Sequence, residues 1–224
     1  MNYLILLCGG KSERLNLNTP KQYIKVKNKY IFEYSLEEFI NSNLINKFIF
    51  VAEPQYFSLI KATLDGYDID YQLVEGGKTR QESVYNGLRN IEVNKDDFVF
   101  IHDSARPLIN ETLINELYEE VLTKNSAVPA YFVNSAIYNT SKNDYENRKN
   151  LREIQTPQAF NLAQIKLAHE EAIKNEIFDA LDDGFLFNKF INKINLVENN
   201  QINIKITYES DFKIVKGILE NGSK

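Results

Sequence analysis

Short apolar runs alternate with amphipathic segments through the first part of the chain. Five runs are almost continuously apolar, as strands covered on both faces require: residues 3–7, 48–52, 71–74, 98–102 and 127–131. Between them, residues 31–43, 56–64, 80–90 and 111–124 carry apolar side chains at helical spacing. This alternation predicts an α/β fold with a doubly wound, mostly parallel sheet and right-handed crossovers.

The alternation of predicted strands and helices is interrupted at about residues 132–155. This segment is polar, rich in Asn and Ser, and has short β-like pieces at 136–138 and 151–155. An extended arm of this kind often joins subunits, and a surface loop is the alternative. Helices from residues 162 and 179, strands near 194–197 and 202–206, and a helix from residue 210 are predicted to follow. We therefore expect one domain over residues 1–224, with an arm inserted at about 132–155.

Composition narrows the class of protein. The chain has 224 residues, 43% of them hydrophobic and 25% charged, which is typical of a globular protein with a real core. A net charge of −5 gives no electrostatic reason to expect nucleic-acid binding. The single cysteine, Cys8, excludes an internal disulfide and suits a reducing compartment. The apolar N-terminal run is too short for a signal peptide or a membrane span, so we expect a cytoplasmic protein without a membrane partner.

Glycine-rich turns follow the first and third predicted strands. The first turn contains Cys8, Gly9, Gly10, Lys11 and Ser12 and leads to Arg14. The second contains Gly76 and Gly77 and brings Arg80 and Ser83 into the first turn of a helix. Glycines let backbone amides approach an anion, and ligands of open α/β sheets bind at the carboxyl ends of strands. Either turn by itself is equally compatible with a plain strand-to-helix connection.

Two further segments carry groups suited to phosphate chemistry. Lys21 follows Pro20, which stiffens the backbone, and together with Arg14 it would place two cations near the first glycine turn. Asp103 follows the fourth strand and is the best candidate for a metal-binding carboxylate. Magnesium or manganese is expected there, because magnesium takes one or two carboxylates together with substrate phosphates.

Periodicity sets limits on three other residues. His102, Asp103 and Ser104 cannot form a hydrolase triad, because adjacent strand residues point to opposite faces. We expect His102 to be packed inside and His169 to lie on a helix surface. Isoleucines flank Lys205, so its side chain should point away from them, either into a site or into solvent.

Six segments, in order, resemble the cytidylyltransferases of the 2-C-methyl-erythritol-4-phosphate and ribitol-5-phosphate type. They are the glycine turn ending in Arg14 and residues 20–23, 76–83, 102–107, 155–158 and 203–207. The match covers nearly the whole chain. The resemblance implies a Rossmann-like domain whose β-arm pairs two subunits, and a reaction in which an acceptor phosphate attacks the α-phosphorus of CTP and releases pyrophosphate.

The resemblance also implies roles for individual residues. Both glycine turns, with Arg80 and Ser83, would hold the nucleotide, while the catalytic cations would be Arg14, Lys21 and Lys205. Contacts to the acceptor or the metal would come from Asp103, Ser104, Arg106, Ser135, Ala136 and Arg148, the last from the partner's arm. Asp182 and Asp183 match an acidic pair to which we assign no role at this stage.

One departure from the family pattern concerns the acceptor. Ser135 and Ala136 stand where the family has Asp-Thr, whose threonine contacts the polyol phosphate. This favours a linear polyol phosphate, such as ribitol 5-phosphate or a longer one, as the acceptor, in a pathway to a capsule or teichoic-acid-type polymer. The alternatives are 2-C-methyl-D-erythritol 4-phosphate, for isoprenoid synthesis, and a non-catalytic nucleotide-binding homologue.

Overall fold

The computed structural model describes residues 1–10 and 19–222, so Lys11, Ser12 and Arg14 lie outside the described residues. Its strands are β1 (Asn2–Leu7), β2 (Lys25–Val26), β3 (Lys29–Tyr30), β4 (Lys47–Ala52), β5 (Tyr71–Glu75), β6 (Phe98–Asp103), β7 (Ser126–Phe132), β8 (Ile137–Asn139), β9 (Asp144–Glu146), β10 (Arg152–Ile154), β11 (Gln158–Asn161) and β12 (Leu196–Glu198). Its α-helices are α1 (Ile31–Asn41), α2 (Phe57–Leu64), α3 (Arg80–Arg89), α4 (Glu111–Lys124), α5 (Leu162–Lys174), α6 (Asp183–Phe190) and α7 (Glu209–Asn221). None of these helices combines the length and the apolar character that a membrane crossing needs.

The predicted sheet is confirmed. β1 pairs in parallel with β4 and β6, and β4 pairs in parallel with β5. Leu4 and Leu6 enter the core on one face of the sheet, while Ile5 enters the core on the other. Both faces are therefore covered, which explains why the sequence of β1 is apolar without interruption.

Helices cover the two faces in separate layers. One layer is formed by α1, α2 and α4, and the other by α3, α5 and α6, each burying an apolar stripe against the sheet. The C-terminal helix α7 joins a separate small cluster, in which Val215 lies with Val26, Ile206 and two residues of α1, Ile31 and Tyr34. This small cluster holds the C-terminal segment against α1 and the loop after β6.

An antiparallel strand that the sequence analysis did not predict lies inside the sheet. β11 runs between β6 and β7 and is antiparallel to both. Its first residue, Gln158, pairs with Ile101. The reversed direction brings residues 155–157, including a cis Thr156–Pro157 peptide bond, beside the carboxyl end of β6. The 155–158 motif thereby reaches the same edge of the sheet as the glycine turns.

The arm is a hairpin that projects from the sheet. β8 pairs with β9, and β10 then returns to pair with β7. At the hairpin, Tyr138 and Tyr145 contact each other with ring centroids 5.2 Å apart and are 45% and 69% exposed. A hairpin thus lies within residues 132–155, and its use as an arm that pairs with a second subunit stays a prediction.

Two expectations were wrong. Residues 202–206 do not enter the sheet; they lie beside the loop after β6, where the Ile206 amide donates to the Ala105 carbonyl. His169 is fully buried rather than at the surface, because its ring bonds to Asp183 between α5 and α6.

Candidate active site

The carboxyl ends of β1, β4, β5 and β6 open onto one cleft of about 960 Å³. Ligands of open α/β sheets bind at this edge. The predicted residues that line the cleft are Gly9, Gly10, Lys21, Gly76, Gly77, Arg80, Ser83, Asp103, Ser104 and Lys205. They come from five separate stretches of the chain, which the topology brings together.

The turn after β1 is fastened by the short 3-10 helix Lys21–Tyr23. The Gln22 amide donates to the carbonyls of Cys8 (2.6 Å) and Gly10 (2.9 Å), and the Tyr23 hydroxyl donates to Cys8 (2.9 Å). No atom of residues 1–10 or 19–222 would lie within 4 Å of a Cβ atom on Gly10, and Gly10 lines the cleft. Lys21, only 9% exposed, lines the same cleft.

Cys8 does not line the cleft, contrary to its prediction as a nucleotide-binding residue. Its amide donates to the Val51 carbonyl (2.7 Å), its own carbonyl accepts from Gln22 and Tyr23, and its side chain is fully buried. Burial raises the pKa of the Cys8 thiol to about 12. Cys8 is a core residue that supports the glycine turn from below.

The second turn needs a glycine at position 77. A Cβ atom there would come within 2.3 Å of the Glu82 side chain. The Gly77 amide donates to the Ser83 hydroxyl (3.0 Å), which in turn donates to the Thr79 carbonyl (2.9 Å). Thr79 caps α3 by accepting from the Glu82 amide. The N-terminus of α3 therefore faces the cleft, where its dipole favours an anion.

Asp103 lies between two cations. Its Oδ1 accepts from Arg80 Nε (3.0 Å), and its Oδ2 accepts from Lys205 Nζ (2.6 Å). Burial alone would raise the pKa of Asp103, but the charges of Arg80 and Lys205 hold it well below its usual range. Asp103 is therefore ionised at neutral pH. The orientation of Lys205, which periodicity left open, is into the site.

A chain of hydrogen bonds fixes the backbone that carries Asp103. The Asp103 amide donates to Thr156 Oγ1 (3.1 Å), which lies 3.1 Å from His102 Nδ1, and His102 Nε2 lies 3.1 Å from the Arg106 carbonyl. Burial lowers the pKa of His102 to about 3, so its ring is neutral. Because a carbonyl only accepts, Nε2 carries the proton and Nδ1 accepts from Thr156. His102 is packed inside, as predicted.

Two predicted acceptor contacts make bonds within the protein instead. The Ser104 hydroxyl lines the cleft but donates to the Leu7 carbonyl (2.6 Å). Arg106 is 7% exposed, donates from NH1 to the Asn203 carbonyl (2.6 Å) and does not line the cleft. In this chain both residues hold the loop after β6 in place.

The arm residues predicted to bind the acceptor lie away from the cleft of their own chain. Ser135, Ala136 and Arg148 are exposed, and Arg148 donates to the Asn134 carbonyl within the arm. None of them is among the residues that line the cleft. A role for them in this site therefore requires the arm of another chain.

Asp103 is the candidate protein ligand for a magnesium ion in the cleft. Within residues 1–10 and 19–222, no cluster of three His, Cys, Asp or Glu side chains could hold a metal. The ionised Asp103 offers one carboxylate at the edge of the cleft. One carboxylate fits magnesium that is held mainly by substrate phosphates and water.

Comparisons with known proteins agree with this geometry. The family described as 2-C-methyl-D-erythritol 4-phosphate cytidylyltransferase matches residues 3–221. An enzyme of that name from Lachnospira eligens is 34% identical over 230 residues, covering 99% of this chain and 100% of the relative. The chain belongs to this family.

Solved structures of cytidylyltransferases share the fold. The Francisella tularensis 2-C-methyl-D-erythritol 4-phosphate cytidylyltransferase is 28% identical with a TM-score of 0.82, covering 96% of this chain and 98% of that one. The 4-diphosphocytidyl-2C-methyl-D-erythritol synthase from Anaerococcus prevotii is 25% identical with a TM-score of 0.85, covering 98% of both chains.

The family membership decides between several expectations. A cytidylyltransferase, and hence a nucleotidyltransferase with a Rossmann-like fold, is confirmed. The non-catalytic alternative has no support, since the relatives are named as enzymes. The expectation of a role in capsule synthesis is not supported either, because the family indicates isoprenoid synthesis.

We expect Cys8 to resist thiol reagents in the native cytidylyltransferase. The thiolate is the reactive form, so a pKa raised to about 12 leaves little of it at pH 8, and the side chain is also inaccessible. Labelling with a disulfide reagent at pH 8 should be slow in buffer and rapid in concentrated urea. Comparable rates in the two conditions would contradict the buried position of Cys8.

Proposed function

We propose that this protein transfers CMP from CTP to 2-C-methyl-D-erythritol 4-phosphate and releases pyrophosphate, a step of isoprenoid synthesis. The observation that carries the proposal is the cleft, in which two glycine turns and the N-terminus of α3 meet the cations Lys21, Arg80 and Lys205. Backbone amides and cations at the carboxyl edge of a parallel sheet suit a nucleoside triphosphate. The names of the relatives supply the nucleotide and the acceptor.

The reaction needs little covalent chemistry from the protein. An oxygen of the acceptor phosphate attacks the α-phosphorus of CTP in line, and pyrophosphate leaves. The acceptor phosphate is already anionic, so no general base is required. The protein contributes positioning and positive charge where negative charge develops, and we assign this role to Lys21 and Lys205, together with Arg14 outside the described residues.

Lys205 is poised to exchange partners when the nucleotide binds. Its side chain is 38% exposed, whereas that of Asp103 is 10% exposed, so Lys205 reaches the cleft from the ion pair. A triphosphate carries more negative charge than one carboxylate and competes for the ammonium group. Asp103 keeps Arg80 as a partner, so the exchange does not leave a buried carboxylate alone.

We propose that magnesium, or manganese in its place, accompanies CTP, with Asp103 as its protein ligand. The ion supplies charge neutralisation at the phosphates when it is bound. The proposal is supported by the ionised state of Asp103 and its place in the cleft lining.

As the acceptor we propose 2-C-methyl-D-erythritol 4-phosphate, in place of the linear polyol phosphate that Ser135 and Ala136 favour. That expectation rested on two residues of the arm, both exposed. Relatives matched over nearly their whole length, from Lachnospira eligens and Thermotoga neapolitana, are named for 2-C-methyl-D-erythritol 4-phosphate. Because Ser135 and Ala136 depart from the family pattern, the test below includes the straight-chain ribitol 5-phosphate as an acceptor.

We also propose that the arm pairs two subunits and that Arg148 contacts the acceptor phosphate in the partner's cleft. The exposed aromatic pair on the hairpin, Tyr138 and Tyr145, supports a surface that another chain covers. The absence of Arg148 from its own cleft lining supports action in trans.

The acceptor is tested by measuring pyrophosphate release from CTP with a panel of polyol phosphates. Turnover is expected with 2-C-methyl-D-erythritol 4-phosphate, with kcat/KM at least about tenfold above that for ribitol 5-phosphate, the usual scale for small differences in an acceptor pocket. A preference for ribitol 5-phosphate would restore the linear acceptor. Turnover with no member of the panel would refute the proposed function.

The metal is tested with a chelator. Excess EDTA should abolish turnover, and magnesium or manganese should restore it. The circular dichroism spectrum and melting temperature should not change, because a metal held mainly by substrate contributes little to folding. Full turnover in excess EDTA would exclude the proposed metal.

The cations and the shared site are tested together. Lys21→Ala and Lys205→Ala should each lower kcat by about 10²–10³-fold, the scale for removing one donor that stabilises developing charge. Arg148→Ala should mainly raise KM for the acceptor. Mixed dimers of Lys21→Ala and Arg148→Ala subunits should regain activity, because one of their two sites keeps both residues.

The exposed Lys216→Ala serves as the matched control and should leave kcat unchanged. Unchanged kcat in Lys21→Ala or Lys205→Ala would remove that lysine from the mechanism. Mixed dimers that form but stay inactive would argue against the arm acting in trans.

A further inference from the structure

Arg80 is held from two sides by carboxylates. Its Nε donates to Asp103 (3.0 Å), and its NH1 donates to Asp183 Oδ2 (2.8 Å). Asp183 is 1% exposed, lies in the first turn of α6 and does not line the cleft. The ionic chain that begins at Lys205 therefore continues past Asp103 and Arg80 into the protein interior.

His169 completes this chain. Its Nε2 lies 3.0 Å from Asp183 Oδ1, and its side chain is fully buried. The ring lies parallel to that of Tyr85, with an interplanar angle of 6° and centroids 6.1 Å apart. Since an ionised carboxylate only accepts, Nε2 carries a proton and donates a hydrogen bond to Asp183 Oδ1. Both Asp183 oxygens thus have fixed donors.

The two members of the acidic pair have different partners. Asp182 caps α6 by accepting from the Phe185 amide (2.7 Å), and it also accepts from Gln158. Asp183 faces inward to Arg80 and His169. Burial would raise the pKa of Asp183, but Arg80 and the hydrogen bond from His169 keep it below its usual range. Capping therefore does not account for the buried charge of Asp183.

We propose that Asp183 and His169 are positioning residues for cytidylyl transfer, which act by orienting the Arg80 guanidinium. Neither touches the cleft. With NH1 held by Asp183, Arg80 presents only Nε to Asp103 and leaves Oδ2 of Asp103 to Lys205. The inference rests on the proposed transfer of CMP and is independent of the acceptor's identity.

The physical reason lies in the fork of the guanidinium. An arginine released from Asp183 can bind both oxygens of Asp103 at once, which is the preferred arginine–carboxylate geometry. Lys205 would then lose the partner that holds its ammonium group at the edge of the cleft before the nucleotide binds. Displacement of a reacting or stabilising group by about 1 Å can cost about 100-fold in rate.

The first test compares two Asp→Asn variants in the same region. Asp183→Asn should lower kcat by about tenfold to 100-fold, while the CTP dissociation constant, measured by calorimetry, stays within about threefold. Asp179→Asn removes the same charge from an exposed position four residues earlier and should leave both unchanged. A folded Asp183→Asn protein with kcat within about twofold of the unmodified protein would overturn the proposal.

The second test keeps the charge of Asp183 and changes its donor. His169→Phe preserves a ring beside Tyr85 but removes the hydrogen bond, and kcat should fall. His169→Gln supplies a donor again and should restore most of kcat. Equal losses in the two variants would show that packing, rather than the hydrogen bond, matters, and would contradict the proposal even if Asp183→Asn did not fold.

A third test asks whether the effect passes through Arg80. In an Arg80→Lys background, His169→Phe should lower kcat by no more than about twofold further, whereas independent effects would multiply. The ¹⁵N NMR signal of Arg80 Nε provides a readout without turnover: it should be sharp in the unmodified protein and in His169→Gln and broadened in His169→Phe. An unchanged signal would overturn the proposal. Lack of turnover in the unmodified protein, by contrast, would count against the proposed reaction alone.

Discussion

The buried carboxylate of Asp103, held between Arg80 and Lys205, is the interaction on which the rest of the site depends. Arg80 lies at the start of α3, Asp103 at the end of β6 and Lys205 in the C-terminal segment. The two ion contacts therefore exist only when the sheet is complete. A buried charge without a partner costs about 3–5 kcal/mol. The fold places both Arg80 and Lys205 beside Asp103, so the buried carboxylate is compensated. The same two cations give the cleft positive charge.

The topology explains how distant segments converge on this carboxylate. Parallel pairing of β1, β4, β5 and β6 places their carboxyl ends at one edge, where both glycine turns begin. The antiparallel insertion of β11 brings Thr156 to the same edge from the opposite direction. The small cluster around Val215 and Ile206 then fixes the segment that carries Lys205. The convergence of these segments on the cleft is thus a consequence of strand direction.

Local pattern was sufficient for much of this architecture. The central strands and the helices α3 and α4 follow from apolar periodicity, because each buries its side chains against neighbours in a regular way. For Lys205, the flanking isoleucines predicted only that its side chain points away from them; its direction into the site comes from the ion pair with Asp103. Periodicity wrongly predicted a strand at residues 202–206. These residues alternate as a strand would, but the Ile206 amide bonds to the loop after β6 rather than to the edge of a strand. Periodicity also missed β11, a short strand that opens with a buried polar residue, Gln158.

The parts of the site that the sequence did not predict depend on contacts between distant elements. No local pattern indicates that His169 on α5 bonds to Asp183 on α6, since a histidine on a helix is usually accessible. Likewise, the burial of Cys8 arises from the carbonyl and amide partners of its turn, which lie 14, 15 and 43 residues away. Both features depend on how distant elements pack together, which no local sequence pattern specifies.

In the proposed reaction, CTP binds in this cleft and Lys205 moves from Asp103 to the nucleotide. A crystal structure of the protein with CTP and magnesium would show both. We expect the triphosphate between Lys21 and Lys205, with Lys205 on a phosphate oxygen and Arg80 still bonded to Asp103 and Asp183. A nucleotide bound outside the cleft, or one inside it with Lys205 remaining on Asp103 and contacting no phosphate, would refute the proposed site.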